Sequence, residues 1–85
     1  MGTKMEATKQ LIRQRFGDIS PSELAEILQI SVKKSPSMES GSALVYIGQQ
    51  PIIYLGRKID FQYTQPLIAR ELINYLEAHP EHLEN

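Results

Sequence analysis

The feature that most limits how this chain can fold is a pair of short apolar runs in its middle. Leu44–Ile47 and Ile52–Leu55 are rich in β-branched and aromatic residues, and each is too short to form a helix. Gly48–Pro51 lies between them and supplies residues that favour turns. The sequence therefore predicts a β-hairpin over Ala43–Leu55.

The turn of this hairpin is predicted as either Gly48-Gln49, which suits a type II′ geometry, or Gln49-Gln50. These two registers differ by two residues, so both give the same side chains on each face. One face carries Leu44, Tyr46, Ile53 and Leu55, and the other carries Ala43, Val45, Ile47, Ile52 and Tyr54. Both faces are apolar, so each needs either cover from the rest of the chain or a partner.

Two helices are predicted before the hairpin. The first spans Lys4–Phe16, where apolar residues recur near one side of a helix and Gly17 follows as a terminator. The second spans Pro21–Ile30, because Ser20 and Glu23 have the spacing of a capping box around a proline at the first helical position.

A third helix is predicted after the hairpin. It begins near Thr64, with Pro66 in its first turn, and it stops before Pro80. The alternation of apolar and polar residues over Ile59–Tyr63 predicts either a bent continuation of the second strand or a third strand. The polar segment Lys33–Ser42 is predicted to be a connection.

These elements predict one small single α+β domain over residues 1–85, in the order helix, helix, β-hairpin or three-stranded meander, helix. Met5 is a second candidate start, which would make residues 1–4 non-native, and residues 81–85 are expected to form a frayed tail. The expected core consists of Leu11, Ile12, Phe16, Leu24, Leu28, Leu44, Tyr46, Ile53, Leu55, Phe61, Ile68, Leu72 and Leu76.

The composition argues against a catalytic or metal-binding protein. The chain has no cysteine, which excludes disulfides, thiolate zinc sites and cysteine nucleophiles. Its two histidines, His79 and His82, flank Pro80, which breaks the helix that would align them on a metal ion. No serine has a histidine base at a local spacing. We expect no enzyme activity, no metal and no cofactor, and no small-molecule substrate is identified.

The apolar runs also bear on where the protein resides. None is long enough to cross a bilayer, and no apolar segment of a signal peptide follows Lys4. The sequence therefore predicts a cytoplasmic protein that does not enter a membrane.

Ser22–Ser31 resembles the first helix and turn of a helix-turn-helix DNA-binding protein, and the wider order resembles the winged form of that family. The resemblance implies that Ser31 opens a recognition helix and that the hairpin is the wing. The contacts to nucleic acid would then be Lys33, Lys34, Arg57 and Lys58. Because the net charge is −1, any attraction to nucleic acid would have to be local.

The other hypothesis is a small non-catalytic module for protein–protein interaction or regulation. Its basis is the hairpin with two apolar faces, since an open sheet face or strand edge is where chains pair. The candidate interaction surface is formed by Val45, Ile47, Ile52 and Tyr54. The expected partner is another protein or a second copy of the chain.

Overall fold

The computed structural model describes residues 4–83, with side chains from Glu6 onward. Its elements are α1 (Lys4–Phe16), α2 (Pro21–Ile27), β1 (Ser31–Ser35), β2 (Ser42–Ile47), β3 (Gln50–Gly56), α3 (Phe61–Ala78) and a short 3₁₀ helix (Pro80–Leu83). This confirms the predicted α+β layout with two helices, a hairpin and a further helix. The predictions for residues 1–3, 84 and 85 lie outside the described part of the chain.

The three strands form one mixed sheet in the order β1-β3-β2. β2 and β3 make the predicted antiparallel hairpin, and its register pairs Ile47 with Gln50. The turn is therefore Gly48-Gln49. Gly48 has a φ of 64° whereas Gln49 does not have a positive φ, which is the type II′ pattern.

β1 runs parallel to β3 on the side opposite β2, with Ser31 paired to Ile52 and Ser35 to Gly56. The chain must therefore leave one edge of the sheet after β1 and enter the other edge at β2. Residues 36–41 make this crossing over the end of β3. Three backbone hydrogen bonds fix the crossing: Gly56 N–H to Gly41 O at 2.9 Å, Arg57 N–H to Met38 O at 2.9 Å, and Lys58 N–H to Glu39 O at 3.0 Å.

The helices pack on the sheet face that carries Leu44, Ile53 and Leu55. Ile53 and Leu55 belong to one buried cluster with Leu72 and Leu76 of α3, and Leu44 packs against it. Ile53 and Leu76 are fully buried. α2 extends this layer, since it contacts both α3 and β1. The hairpin thus lies under a layer of helices on one side.

Two predicted segments form different structures. Ser31–Ser35, most of which was predicted to lie in a connection, is strand β1, because it pairs along five residues with β3. Ile59–Tyr63 is not a third strand, because the chain turns after Gly56 and α3 begins at Phe61. α2 also ends at Ile27, three residues earlier than predicted, since Gln29 takes a left-handed φ of 60°.

The predicted core is partly correct. Six of its members are buried, namely Leu24, Ile53, Leu55, Ile68, Leu72 and Leu76. Four more pack against them while partly exposed, namely Ile12, Phe16, Leu28 and Leu44. Three predictions were wrong, because Leu11, Tyr46 and Phe61 are exposed at 43%, 46% and 91%. Phe61 is the first residue of α3 and does not continue a strand.

Candidate interaction surface

Val45, Ile47, Ile52 and Tyr54 lie on the sheet face opposite the buried helix-packing cluster. Val45 is paired with Ile52 across the hairpin. Side chains alternate along a strand, so this register places all four on one face and Leu44 and Ile53 on the other. None of the four belongs to the core cluster that contains Ile53 and α3. The second apolar face of the hairpin therefore packs outside the main core.

These four side chains differ in their accessibility. Ile52 on the central strand is buried, and Val45 and Tyr54 are half-buried. Ile47 at the end of β2 is 62% exposed. Tyr46, on the opposite face of the same strand, is 46% exposed. The accessible apolar surface is therefore concentrated at the end of β2, on both sides of the strand.

The two edges of the sheet differ in charge. β2 is an edge strand, and Ser42–Ile47 contains no charged residue and no proline. β1 is the other edge strand, and it carries Lys33 and Lys34, which are both exposed. Lysine on an edge strand disfavours pairing with another strand, because its charge would have to be desolvated. Within the described chain, β2 is the sheet edge without this protection. We refer to Val45, Tyr46 and Ile47 with the outer edge of β2 as the β2 surface.

The four basic residues proposed as nucleic-acid contacts do not share one face. Lys33 and Lys34 are consecutive in β1 and so point to opposite sides of the sheet. Arg57 and Lys58 lie after β3, where both approach the carboxylate of Glu39, at 3.2 Å and 3.6 Å.

The predicted recognition helix does not form. Ser31, which would open it, is instead the first residue of β1, because the segment pairs with β3. The resemblance to a helix-turn-helix protein was wrong on this point.

A buried polar cluster joins α3 to β2, and sequence reasoning did not find it. The side chain of Glu71 is only 7% exposed. Its Oε2 accepts a hydrogen bond from Ser42 Oγ at 2.7 Å and lies 3.3 Å from Arg70 Nη2. Its Oε1 accepts from Asn74 Nδ2 at 3.4 Å, and Arg70 Nη2 also donates to Ser42 Oγ at 2.9 Å. Glu71 occurs within the apolar stripe of α3, and a charge at such a position requires buried partners.

The end of α3 carries a second cluster, made of aromatic and histidine rings. Tyr75 stacks against His79 with a 4.6 Å separation of ring centroids, and its hydroxyl lies 3.1 Å from His82 Nε2. Tyr46 from β2 contacts His79 Nε2 at 3.1 Å. Burial raises the pKa of Tyr75, and the nearby Tyr46 and Glu81 raise it further. These contacts join Tyr75 and Tyr46 to the segment that contains the 3₁₀ helix Pro80–Leu83. The frayed tail over residues 81–85 stays a prediction.

Two general features of the described residues bear on other classes of function. No group of three or more histidine or acidic residues within 4–83 is placed to hold a metal ion. Within the same range, no helix combines the length and the apolar character that crossing a bilayer requires.

Comparison with protein-family models, with curated proteins and with solved structures finds no match to this chain.

Proposed function

We propose that this protein is a small non-catalytic interaction module and that it binds through the β2 surface. The observation that carries the proposal is the unprotected edge of β2, which is uncharged and has Tyr46 and Ile47 exposed on its two faces. An added strand would complete the backbone hydrogen bonds of β2 and would bury these two side chains.

We further propose that the partner is β2 of a second copy. Charge is the argument for this choice. When a strand pairs with its own copy about a twofold axis, every residue meets a residue of the same strand. Like charges placed opposite one another would disfavour such pairing, and β2 has none. The same operation on β1 would bring Lys33 and Lys34 close to their own copies, so β1 does not suit self-pairing.

The buried polar cluster also fits a non-catalytic role. The carboxylate of Glu71 is engaged by Ser42, Arg70 and Asn74, and these contacts tie α3 to the sheet. Its hydrogen bonds thus serve the attachment of β2 to the helix layer. DNA binding is not proposed here, because the segment expected to supply a recognition helix is a strand.

The test measures mass in solution over a concentration series for three proteins: the unmodified chain, Ile47→Lys and Ile27→Lys. Ile27 is the matched control, since it is 56% exposed, close to the 62% of Ile47, but lies on α2, which packs against α3 and β1. We expect the unmodified chain and Ile27→Lys to pass from monomer to dimer as concentration rises. Ile47→Lys is expected to remain monomeric, because lysine on an edge strand disfavours pairing with another strand.

Hydrogen exchange of backbone amides supplies a second readout. Self-pairing through β2 predicts that outward-facing amides of Ser42–Ile47 exchange more slowly as concentration rises, while amides of Ser31–Ser35 do not change. A monomer at every concentration would contradict the proposal. So would a dimer that Ile47→Lys leaves intact, or one in which the protected amides belong to β1.

A further inference from the structure

We propose that a cleft between α1, α2 and α3 binds a small monocarboxylate with an apolar body. The cleft has a volume of about 270 Å³ and lies on the helical side of the molecule. Pockets for drug-sized ligands usually span about 300–1,000 Å³, so this cleft suits a smaller molecule. It does not include the β2 surface, and the proposal is independent of the proposed function.

The floor of the cleft is apolar. Leu24, Leu72 and Ile73 line it, and each is at most 4% exposed. Ile12 and Ile19 form its partly exposed sides. These side chains come from all three helices or the α1–α2 connection, so their positions are fixed by the packing of the core. An apolar ligand that entered this preformed cleft would displace water from its apolar lining.

The mouth of the cleft carries charge of one predominant sign. Lys9 and Arg13 line it from α1, four residues apart and thus on the same side of that helix. Neither makes an ion pair with another residue of the described range. Asp18 also lines the cleft and is its single acidic residue. Two cations against one anion leave a net positive mouth.

This combination selects the class of ligand. The apolar floor requires an apolar body, and the positive mouth favours an anionic group over a neutral or cationic one. An arginine guanidinium presents paired donors that match a carboxylate, and Lys9 adds a second positive charge one helical turn away. Because both side chains are exposed, we expect their attraction to be modest and sensitive to salt.

The test titrates the protein with octanoate, octanamide and octylamine, each below the concentration at which it self-associates. These probes share an apolar chain and differ in charge. Binding is followed by the backbone amide shifts of Gly17, Ile19 and Ile73, which line the cleft. We expect saturable shifts with octanoate, weaker shifts with octanamide and none with octylamine.

Three variants separate a local site from general electrostatic attraction. Arg13→Gln and Lys9→Gln each remove one charge at the mouth, and Arg15→Gln removes the same charge from the same helix at a residue that does not line the cleft. All three residues are exposed, so the variants are expected to fold. Either mouth variant should weaken octanoate binding by roughly 1.5- to fivefold, the range for an exposed charge interaction.

The control Arg15→Gln should leave octanoate binding unchanged. Equal binding of octanoate and octanamide would overturn the proposal, because the positive charges at the mouth would then give no preference for an anion. Equal weakening by Arg13→Gln and Arg15→Gln would overturn it too, since net charge alone would explain the result. The absence of octanoate-induced shifts at the cleft residues would exclude the site.

Discussion

Glu71 is the buried residue that most needs polar or charged partners. A carboxylate removed from water needs partners of matching charge or polarity, and Ser42 supplies its shortest hydrogen bond, at 2.7 Å. We expect Ser42→Ala to lower the free energy of unfolding by about 1.5–3 kcal/mol, the range for a hydrogen bond to a charged group. Urea denaturation measures this change.

The control for that substitution is Ser31→Ala. Ser31 is also a strand serine, but it is exposed and is not a partner of Glu71. Its replacement should change the free energy of unfolding by no more than about 0.5 kcal/mol. If Ser31→Ala and Ser42→Ala have equal effects, the cluster does not stabilise the fold as the geometry indicates.

The ionisation of Tyr75 is expected to make the free energy of unfolding depend on pH in the alkaline range. Burial, with Tyr46 and Glu81 nearby, raises the pKa of its phenol above the ordinary value of 10.0. The folded protein therefore holds this proton to higher pH than the unfolded chain does. The resulting stability is fully present below pH 10.0 and is lost as the pH rises through the raised pKa of the folded state.

The expected result is a fall in the free energy of unfolding above pH 10.0 that is smaller in Tyr75→Phe than in the unmodified protein. Urea denaturation at a series of pH values measures it. Tyr63→Phe is the control, because Tyr63 is 55% exposed, and this variant should keep the alkaline fall. An unchanged pH dependence in Tyr75→Phe would show that this phenol is not responsible.

At the scale of elements, the crossing between β1 and β2 depends on Gly56. A Cβ atom at this position would lie 2.5 Å from the backbone of Ser40, closer than real contacts allow. We expect Gly56→Ala to lower the free energy of unfolding by about 1–3 kcal/mol, as overpacking does, and to displace residues 36–41. Exchange of the Arg57 amide, which donates to Met38 O, should accelerate.

Gly48→Ala is the control for Gly56→Ala, because Gly48 lies in the hairpin turn that precedes β3. A Cβ at Gly48 meets nothing within 4 Å, but its φ of 64° strains any other residue. We expect a loss of about 1–2 kcal/mol from this backbone conformation, with the Arg57 amide still protected. Loss of that protection in Gly48→Ala, or its retention in Gly56→Ala, would contradict the role given to Gly56.

The elements that the sequence predicts correctly are those with local signals. The capping box at Ser20 is present, with Glu23 N–H donating to Ser20 Oγ at 3.2 Å, and the hairpin turn is one of the two predicted. β1 has no such signal, since Val32 is the only apolar residue of Ser31–Ser35. Its strand conformation depends on pairing with β3, whose partner residues lie 21 positions further along the chain, and a local pattern does not reveal this pairing.

The candidate interaction surface could likewise be predicted only in part from local sequence patterns. Alternation in the hairpin was enough to group Val45, Ile47, Ile52 and Tyr54 on one face. It does not indicate that Ile52 would be buried or that the accessible surface would lie at the end of β2, because both depend on the sheet order. The contacts among Glu71, the histidines and β2 join residues about thirty positions apart, beyond the range of local spacing.

At the scale of the whole molecule, the helices lie against one face of a sheet only three strands wide. The core is therefore a single layer between the sheet and the helices, and the sheet contributes to it with one of its two apolar faces. The alternation of the hairpin predicts two such faces, but the positions of the helices determine which face is covered. Helix cover does not by itself decide exposure, because Ile52 is buried on the uncovered face, and both Tyr46 and Ile47 are exposed at the end of β2.

The sheet order also has a consequence for synthesis on the ribosome. β1 and β2 each pair with β3, and they do not pair with each other. A nascent chain that ends before Gln50 therefore holds two strands with no partner, and assembly of the sheet must wait until Gln50–Gly56 has emerged. Until then the apolar strand β2 is exposed, so a pause or a premature stop in this interval would present a segment that chaperones bind and that is prone to aggregate.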